Sequence, residues 1–347
     1  MPRVRRSDCS APGFSRRRRG RGFEYVDEGG RVLRNPNHLK RIREMVIPPA
    51  WKDVWICPDE WGHLQAVGID AAGRKQYLYH PRWRVRRDQQ KFDRMLEFAR
   101  LLPEMREACV VDLKRKELDR ARVLACAVRL LDRGFFRMGS EGYAEQNETY
   151  GLATVRKNHM TLKDGLITFD YRAKGGQRRV QSVGDQEVCE VLRLLKARRS
   201  GPSDLLVYKR DGAWIDVKSS DINQYIKEVM NGEFTAKDFR TWNATVLAAV
   251  AVAVSAHAAS KTAKTRAISR AVKEVAHYLG NTPAVARSSY IDPRVFDRFR
   301  SGWTISLTLE RLGGAGFGEL ATQGEIELAV IDLLEDRRSS DAVENVA

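Results

Sequence analysis

The sequence predicts an α+β protein in which a small N-terminal domain with an antiparallel sheet precedes a mainly helical domain that carries one small three-stranded sheet. Two observations predict the division. Up to about Pro81 the apolar residues alternate in short runs separated by turn residues, and beyond about Phe92 they recur at helical spacing. A third observation places the second sheet. Alternation returns once inside the helical part, between Leu152 and Val183, with Asp164-Gly165 and Gly175-Gly176 as turns. The 347 residues are enough for two cores.

The first stretch, Met1–Gly22, sets Arg3, Arg5, Arg6, Arg16, Arg17, Arg18, Arg19 and Arg21 against one acid, Asp8. It has almost no apolar pattern, so residues 1–22 are expected to be a disordered basic tail, either lying along phosphates or simply solvated. Residues 23–90 form the small domain. Pro36–Met45 reads as a helix that Ile47-Pro48-Pro49 ends. Val54–Ile56, His63–Ile69 and Lys75–His80 read as strands, the last two joined by a turn at Ala72-Gly73. The charged stretch Arg82–Gln90 is the expected boundary. The second domain, residues 91–336, opens with a helix led by Phe92, Met95, Leu96 and Phe98. The next helix, Leu118–Leu131, sets Val123, Leu124, Ala127, Val128 and Leu131 at helical spacing, and Gly134 ends it. Leu152–Lys157, Met160–Leu162, Leu166–Arg172 and Arg178–Val183 are strand-like, which puts Lys174 near the tip of a hairpin. Helices resume over Asp185–Arg198, Asp221–Asn231, Thr241–Ala258 and Ala267–Leu279. A last helix spans Gly324–Glu335, and residues 337–347 are left as a polar tail.

Hydrophobic residues make up 43% and charged residues 31%, the balance of a soluble globular protein. The net charge of +16 and the pI of about 9.8 favour a polyanionic partner, because each Lys or Arg on a phosphate releases condensed counterions. DNA, RNA and an anionic membrane surface all fit that charge. No membrane span is expected, since the longest apolar run, Val246–Val254, is too short to cross a bilayer. No apolar segment of signal-peptide type opens the chain. The five cysteines, Cys9, Cys57, Cys109, Cys126 and Cys189, are scattered with no CxxC pair. Neither a zinc site nor a disulfide framework is expected from them, and a reducing cytoplasm is the expected compartment.

Four segments carry residues suited to phosphate chemistry. In Leu279–Pro293, Gly280 fits a helix end and Asn281-Thr282-Pro283 the start of a short helix that would deliver Tyr290. Lys237-Asp238-Phe239-Arg240 opens the long Ala/Val-rich helix, where cations run against the dipole unless a phosphate lies nearby. Asp238 is placed to orient Arg240. Arg137 follows a buried-looking helix and precedes Asn147-Glu-Thr-Tyr-Gly-Leu152. Lys174 stands in its hairpin. Taken singly, each has a structural reading: a packed tyrosine, a surface salt-bridge cluster, an arginine capping carbonyls, a charged turn.

Taken in order, Arg137, a hairpin Lys174, Lys237-x-x-Arg240, and Asn281 nine residues before Tyr290 resemble the type IB DNA topoisomerase family, in particular its compact branch in poxviruses and some bacteria. The resemblance covers roughly Phe23–Leu334 and includes the strand Gly73-Arg-Lys-Gln-Tyr-Leu-Tyr-His80, similar to the family's DNA-facing strand. It implies the catalytic core shared with tyrosine recombinases. It also implies that Tyr290 attacks a phosphodiester to form a 3′-phosphotyrosyl link, relaxing supercoiled DNA by transient cleavage and religation of one strand. Arg137 and Arg240 would bind the nonbridging oxygens, Lys174, alone or together with Arg137, would protonate the leaving 5′ oxygen, and Lys237 would be an auxiliary cation. Asn281 stands where most relatives carry His and would donate one hydrogen bond to a nonbridging oxygen.

Elementary chemistry agrees. A free tyrosine has a pKa of about 10, so roughly 0.1% is phenolate at neutral pH, and cations around the phosphate must favour attack. Such preorganised charge is worth about 3–4 kcal/mol per donor. Arginine forks match phosphate oxygens, whereas lysine can give up its proton. No carboxylate cluster accompanies the set and no GxxxxGK[ST] loop is present, so neither a metal nor ATP is expected as cofactor. Tyr77 and Tyr79 share one strand face, and with Gln76 they are candidate DNA contacts. Glu141, Tyr143 and Gln146, on a helix expected over Ser140–Asn147, are a second set. The expected partner is double-stranded DNA, bound by a monomer, at the nucleoid if the source is bacterial. Two rival readings are a tyrosine recombinase, which usually has His-x-x-Arg where this chain has Lys237-x-x-Arg240, and a DNA-binding protein without catalysis.

Overall fold

The structure is a computed structural model that describes residues 2–139, 141–258, 260–312 and 323–346; the side chain of Tyr143 lies outside the described residues. It divides into two compact units, Met1–Asp93 and Arg94–Ala347.

The first unit is an antiparallel sheet with one helix. Its elements are β1 (Phe14–Arg19), β2 (Gly22–Val26), α1 (Pro36–Glu44), β3 (Lys52–Ile56), β4 (Leu64–Ile69) and β5 (Lys75–Tyr79), with strand order β2-β1-β3-β4-β5. Phe14, Ile42, Ile47, Val54, Ile56 and Ala66 form its core. Asn35 caps α1 by accepting from the Asn37 amide at 2.9 Å, and Pro36 takes the first-turn position.

The Arg-rich stretch expected to be disordered is instead built into this sheet. Arg17 and Arg19 reach Glu24 on the neighbouring strand at 2.7 Å, which offsets their repulsion. Arg16 donates to the Pro48 and Trp51 carbonyls at 2.6 and 2.9 Å, in the turn that follows α1. Further upstream the chain is pinned as well: the Arg5 amide donates to the Trp61 carbonyl at 2.9 Å and the His63 amide to the Arg5 carbonyl at 2.7 Å.

The helix α2 (Pro81–Leu113) is continuous over 33 residues, so the expected boundary stretch Arg82–Gln90 is helical. Its Arg and Gln residues are good helix formers and no Gly interrupts them. In the second unit α3 (Arg120–Gly134) and α4 (Glu141–Asn147) precede a three-stranded antiparallel sheet, β6 (Met160–Lys163), β7 (Leu166–Arg172) and β8 (Arg178–Gly184). Leu152–Lys157, expected to be a strand, forms short 3-10 turns at Leu152–Thr154 and Lys157–His159. Its amides there serve the Arg137 segment rather than a sheet. Next come α5 (Gln186–Ala197), a two-stranded hairpin of β9 (Val207–Arg210) and β10 (Ala213–Asp216), and α6 (Ser219–Met230).

The helix α7 (Ala236–Ala253) is buried along nearly all its length, as an Ala/Val-rich helix must be, and packs with α3. The helices α8 (Lys261–Leu279), α9 (Pro283–Ser289) and α10 (Pro293–Arg300) follow it. A strand β11 (Trp303–Thr304), then α11 (Ser306–Arg311), α12 (Glu325–Leu334) and β12 (Glu344–Asn345) complete the unit. The expected polar tail is therefore docked: β12 pairs with β11, and Glu344 accepts a hydrogen bond from Ser306. Among the described residues no helix is long and apolar enough to cross a membrane.

Candidate active site

An open cleft of about 330 Å³ in the second unit gathers Arg137, Lys174, Lys237, Arg240 and Tyr290 from separate elements. Arg137 leaves α3 through Phe135, whose left-handed φ of 53° turns the chain. The extended segment that follows runs against Gly151: the Leu152 amide donates to the Arg137 carbonyl and the Ala153 amide to the Met138 carbonyl, both at 2.8 Å. A Cβ on Gly151 would sit 2.7 Å from the Arg137 oxygen, so only glycine permits this crossing. Lys174, exposed, stands in the turn between β7 and β8, closed by the Ala173 amide on the Gln177 carbonyl at 2.7 Å. Lys237 lies in the first turn of α7 and Arg240 opens the second. Tyr290 ends α9, half-buried, with the Arg240 guanidinium 5.3 Å from its ring centre.

The end of α8 organises the arginines. Helix C-termini leave carbonyls without partners and carry partial negative charge. Here arginines satisfy them. Arg179 donates to the His277 and Tyr278 carbonyls at 2.9 and 2.6 Å, Arg240 to Leu279 at 2.9 Å, and Arg137 to Gly280 at 2.8 Å. Arg137 also donates to Asn281 Oδ1, and Arg240 to the Phe135 carbonyl. Gly280 takes a left-handed φ of 60° and Thr282 caps α9, so the path from the α8 terminus to Tyr290 is one turn and one short helix.

Electrostatics follow from this packing. Arg240 is only 5% exposed; burial, joined by the like charge of Arg137, pulls its guanidinium down to about 10 against the pull of Tyr290, and it stays protonated at neutral pH. Burial pushes the Tyr290 phenol up, but Arg240, Arg137 and Lys237 together outweigh it and hold the phenol below its ordinary value. Replacing Lys237 with Gln is therefore expected to shift the rising limb of a cleavage pH–rate profile to higher pH, as single-turnover measurements from neutral to alkaline pH would show. An unmoved profile would mean that Lys237 does not act on the phenol.

One expected role is not what the structure shows. Asp238 does not orient Arg240: its Oδ2 accepts from the Thr235 amide at 2.8 Å and hydroxyl at 3.0 Å, capping α7. Glu141 accepts from the Ser219 amide at 2.9 Å, at the start of α6. Gln146 is exposed, and the Tyr143 side chain lies outside the described residues. Asn281 is not among the residues lining the cleft but stands behind Arg137, with its Nδ2 buried and unpartnered among the described residues. Arg179 was missed in the sequence, where a second arginine in a strand gives no signal.

In the first unit, edge strand β5 exposes Tyr77 and Tyr79, whose rings stack at 6.2 Å. Gln76 alternates away from them, and its amide donates to Asp70 at 2.8 Å. A separate groove of about 490 Å³ is lined by Arg3, Arg5, Arg6, Arg86 and Arg87, with Trp83.

Residues 80–301 match the family described as eukaryotic DNA topoisomerase I, catalytic core, and residues 22–70 match the bacterial DNA topoisomerase IB N-terminal domain. The chain is 31% identical over 277 residues to DNA topoisomerase 1B of Acanthamoeba polyphaga mimivirus, covering 78% of this chain and 81% of that one. It belongs to the type IB DNA topoisomerase family. A second relative, DNA topoisomerase 1B of vaccinia virus (strain Copenhagen), is 24% identical over 74% of this chain and 80% of its own. The family's larger DNA topoisomerase 1 of Candidozyma auris is 32% identical over 45% of this chain and 20% of its own. Among solved structures, XerH site-specific recombinase bound to difH substrate covers 57% of this chain and 52% of that one at 13% identity, with a TM-score of 0.35.

Proposed function

We propose that this type IB topoisomerase relaxes supercoiled duplex DNA with Tyr290 as nucleophile. The observation that carries the reading is the convergence of Arg137, Lys174, Arg240 and Tyr290 on one cleft, with cations holding the Tyr290 phenol below its ordinary pKa. Tyr290 Oη attacks phosphorus; a P–O(tyrosyl) bond forms and the P–O5′ bond breaks. The phenol proton passes to water, and Lys174 gives a proton to the leaving 5′ oxygen and regains one from water. Arg137 and Arg240 hold the nonbridging oxygens, where each preorganised donor is worth about 3–4 kcal/mol. The reverse step reseals the strand. Because the phosphotyrosine keeps the bond energy, no ATP is required. Four cations at the cleft supply the charge that a metal would bring to the phosphate. Plasmid relaxation in EDTA without ATP, with denaturant trapping the protein on a 3′ end, is the expected result. A metal requirement or a 5′ adduct would contradict it.

Asn281 is assigned to lend its buried, unpartnered Nδ2 to a nonbridging oxygen after a side-chain shift from behind Arg137 into the cleft when DNA binds, its Oδ1 being taken by Arg137. Asn281→Asp keeps the acceptor, removes the donor and adds a negative charge beside the phosphate, so cleavage is expected to slow by at least about 10²- to 10³-fold in a single-turnover assay. Wild-type speed in that variant would leave Asn281 with the Arg137 contact alone.

Double-stranded DNA is the partner, acted on by a monomer, and the exposed pair Tyr77–Tyr79 is the assigned groove contact of the first unit. The five-arginine groove is assigned to backbone phosphates. Each phosphate contact contributes about 0.9 to the slope of log affinity against log salt. Replacing Arg3, Arg5 and Arg6 together with Gln is expected to lower that slope by up to about 2.7. An unchanged slope would take the groove off the DNA path.

A further inference from the structure

Arg179 lies on β8, five residues beyond Lys174, opposite Tyr171 in the β7–β8 pairing. Its guanidinium spans the last turn of α8, donating to the His277 and Tyr278 carbonyls. Its stem lies across Gly280, where an added Cβ would sit 3.3 Å from Arg179 Cδ, Nε and Cζ. Asn281 comes next in the chain, and α9 then leads to Tyr290. One side chain therefore bolts the strand that follows Lys174 onto the turn that precedes the tyrosine.

We propose that Arg179 is a positioning residue for strand cleavage: it locks the Lys174 hairpin to the turn that delivers Tyr290, so that proton donor and nucleophile meet one phosphate in register. The proposal rests on the cleavage reading above. The two sides of the clamp are unequally secured. The α8 terminus is also held by Arg240 at Leu279 and by Arg137 at Gly280, so it keeps two ties when Arg179 is lost. The hairpin keeps the Tyr150 amide on the Arg172 carbonyl, at 2.7 Å, and Gln181 on the Gly134 carbonyl, but neither reaches α8. Loss of Arg179 thus frees the proton donor more than the nucleophile. A misplacement of about 1 Å in a catalytic group costs on the order of 10²-fold in rate.

The test uses the full chain and two duplexes that differ in one atom, oxygen or sulfur, bridging phosphorus to the 5′ carbon. A thiolate leaves without a proton, so the sulfur duplex does not need Lys174. For Arg179→Met, single-turnover formation of the covalent adduct is expected to slow about 10- to 100-fold on the oxygen duplex. On the sulfur duplex it should stay near the wild-type rate, with DNA affinity unchanged. Arg179→Lys, which restores one donor, should recover part of the oxygen rate. Reaction amplitudes count the folded molecules, so the ratio of the two rates is independent of any loss of fold. Equal slowing on both duplexes, or none on either, would overturn the proposal. A wild type that forms no adduct on either duplex would overturn the cleavage reading itself.

Discussion

Tyr290→Phe is expected to abolish plasmid relaxation and adduct formation, with a fall of about 10⁴-fold or more, the scale seen when a covalent nucleophile is removed. The substitution deletes one oxygen and keeps the ring. The ring's place beside Arg240 survives, as do the Tyr290 amide on the Ala286 carbonyl at 3.1 Å and the Thr245 hydroxyl on the Tyr290 carbonyl at 3.2 Å. Fold and DNA affinity should therefore stay close to wild type, and a gel-shift titration beside the relaxation assay separates chemistry from binding. Equal relaxation by both proteins would remove Tyr290 from the mechanism.

The second large effect is on stability. Arg106, on α2, donates to Asp132 on α3 at 2.8 and 2.9 Å and to Glu327 on α12 at 2.6 and 2.9 Å. Burial pulls its guanidinium down, but the two carboxylates outweigh burial and raise it above its ordinary value. Glu327 also accepts from Trp242 Nε1, on α7, at 2.7 Å. The Asp132 and Glu327 side chains are 4% and 8% exposed. Arg106→Met leaves two buried negative charges facing one another, and breaking such a pair costs about 3–5 kcal/mol. Urea denaturation should show that loss. Adding Asp132→Asn and Glu327→Gln should recover much of it, since neutralising a whole buried cluster is often close to neutral. A loss below about 1 kcal/mol, the range of surface pairs, would mean that water reaches the cluster.

Much of this was legible in the sequence, because local chemistry and global fold agree there. The helix end at Gly280, the start at Thr282-Pro283 and the strand run Leu166–Arg172 are each written in a few adjacent residues. The errors arise where a distant partner decides. Phe14–Arg19 is too charged to look like a strand, until Glu24 opposite and the carbonyls near Pro48 are known to receive its arginines. Leu152–Thr154 alternates like a strand, but its amides are spent on Arg137 and Met138. The hairpin of β9 and β10 went unread because its short first strand, Val207–Arg210, pairs two buried residues with two exposed ones and so shows no alternation. At the site, Asp238 was assigned by proximity in sequence to Arg240, whereas its nearest backbone donor, Thr235, claims it as a helix cap. Arg179 was invisible because its partners are backbone carbonyls, which leave no mark in the side-chain sequence.

The cradle at the α8 terminus matters also when DNA is absent. Carbonyls, not carboxylates, hold the guanidiniums of Arg137, Arg179 and Arg240, so their charge is positioned without being cancelled. An idle cleft of this kind attracts small tetrahedral oxyanions. Sulfate, phosphate and vanadate should occupy it in competition with the scissile phosphate, making the choice of buffer anion an inhibitor in its own right.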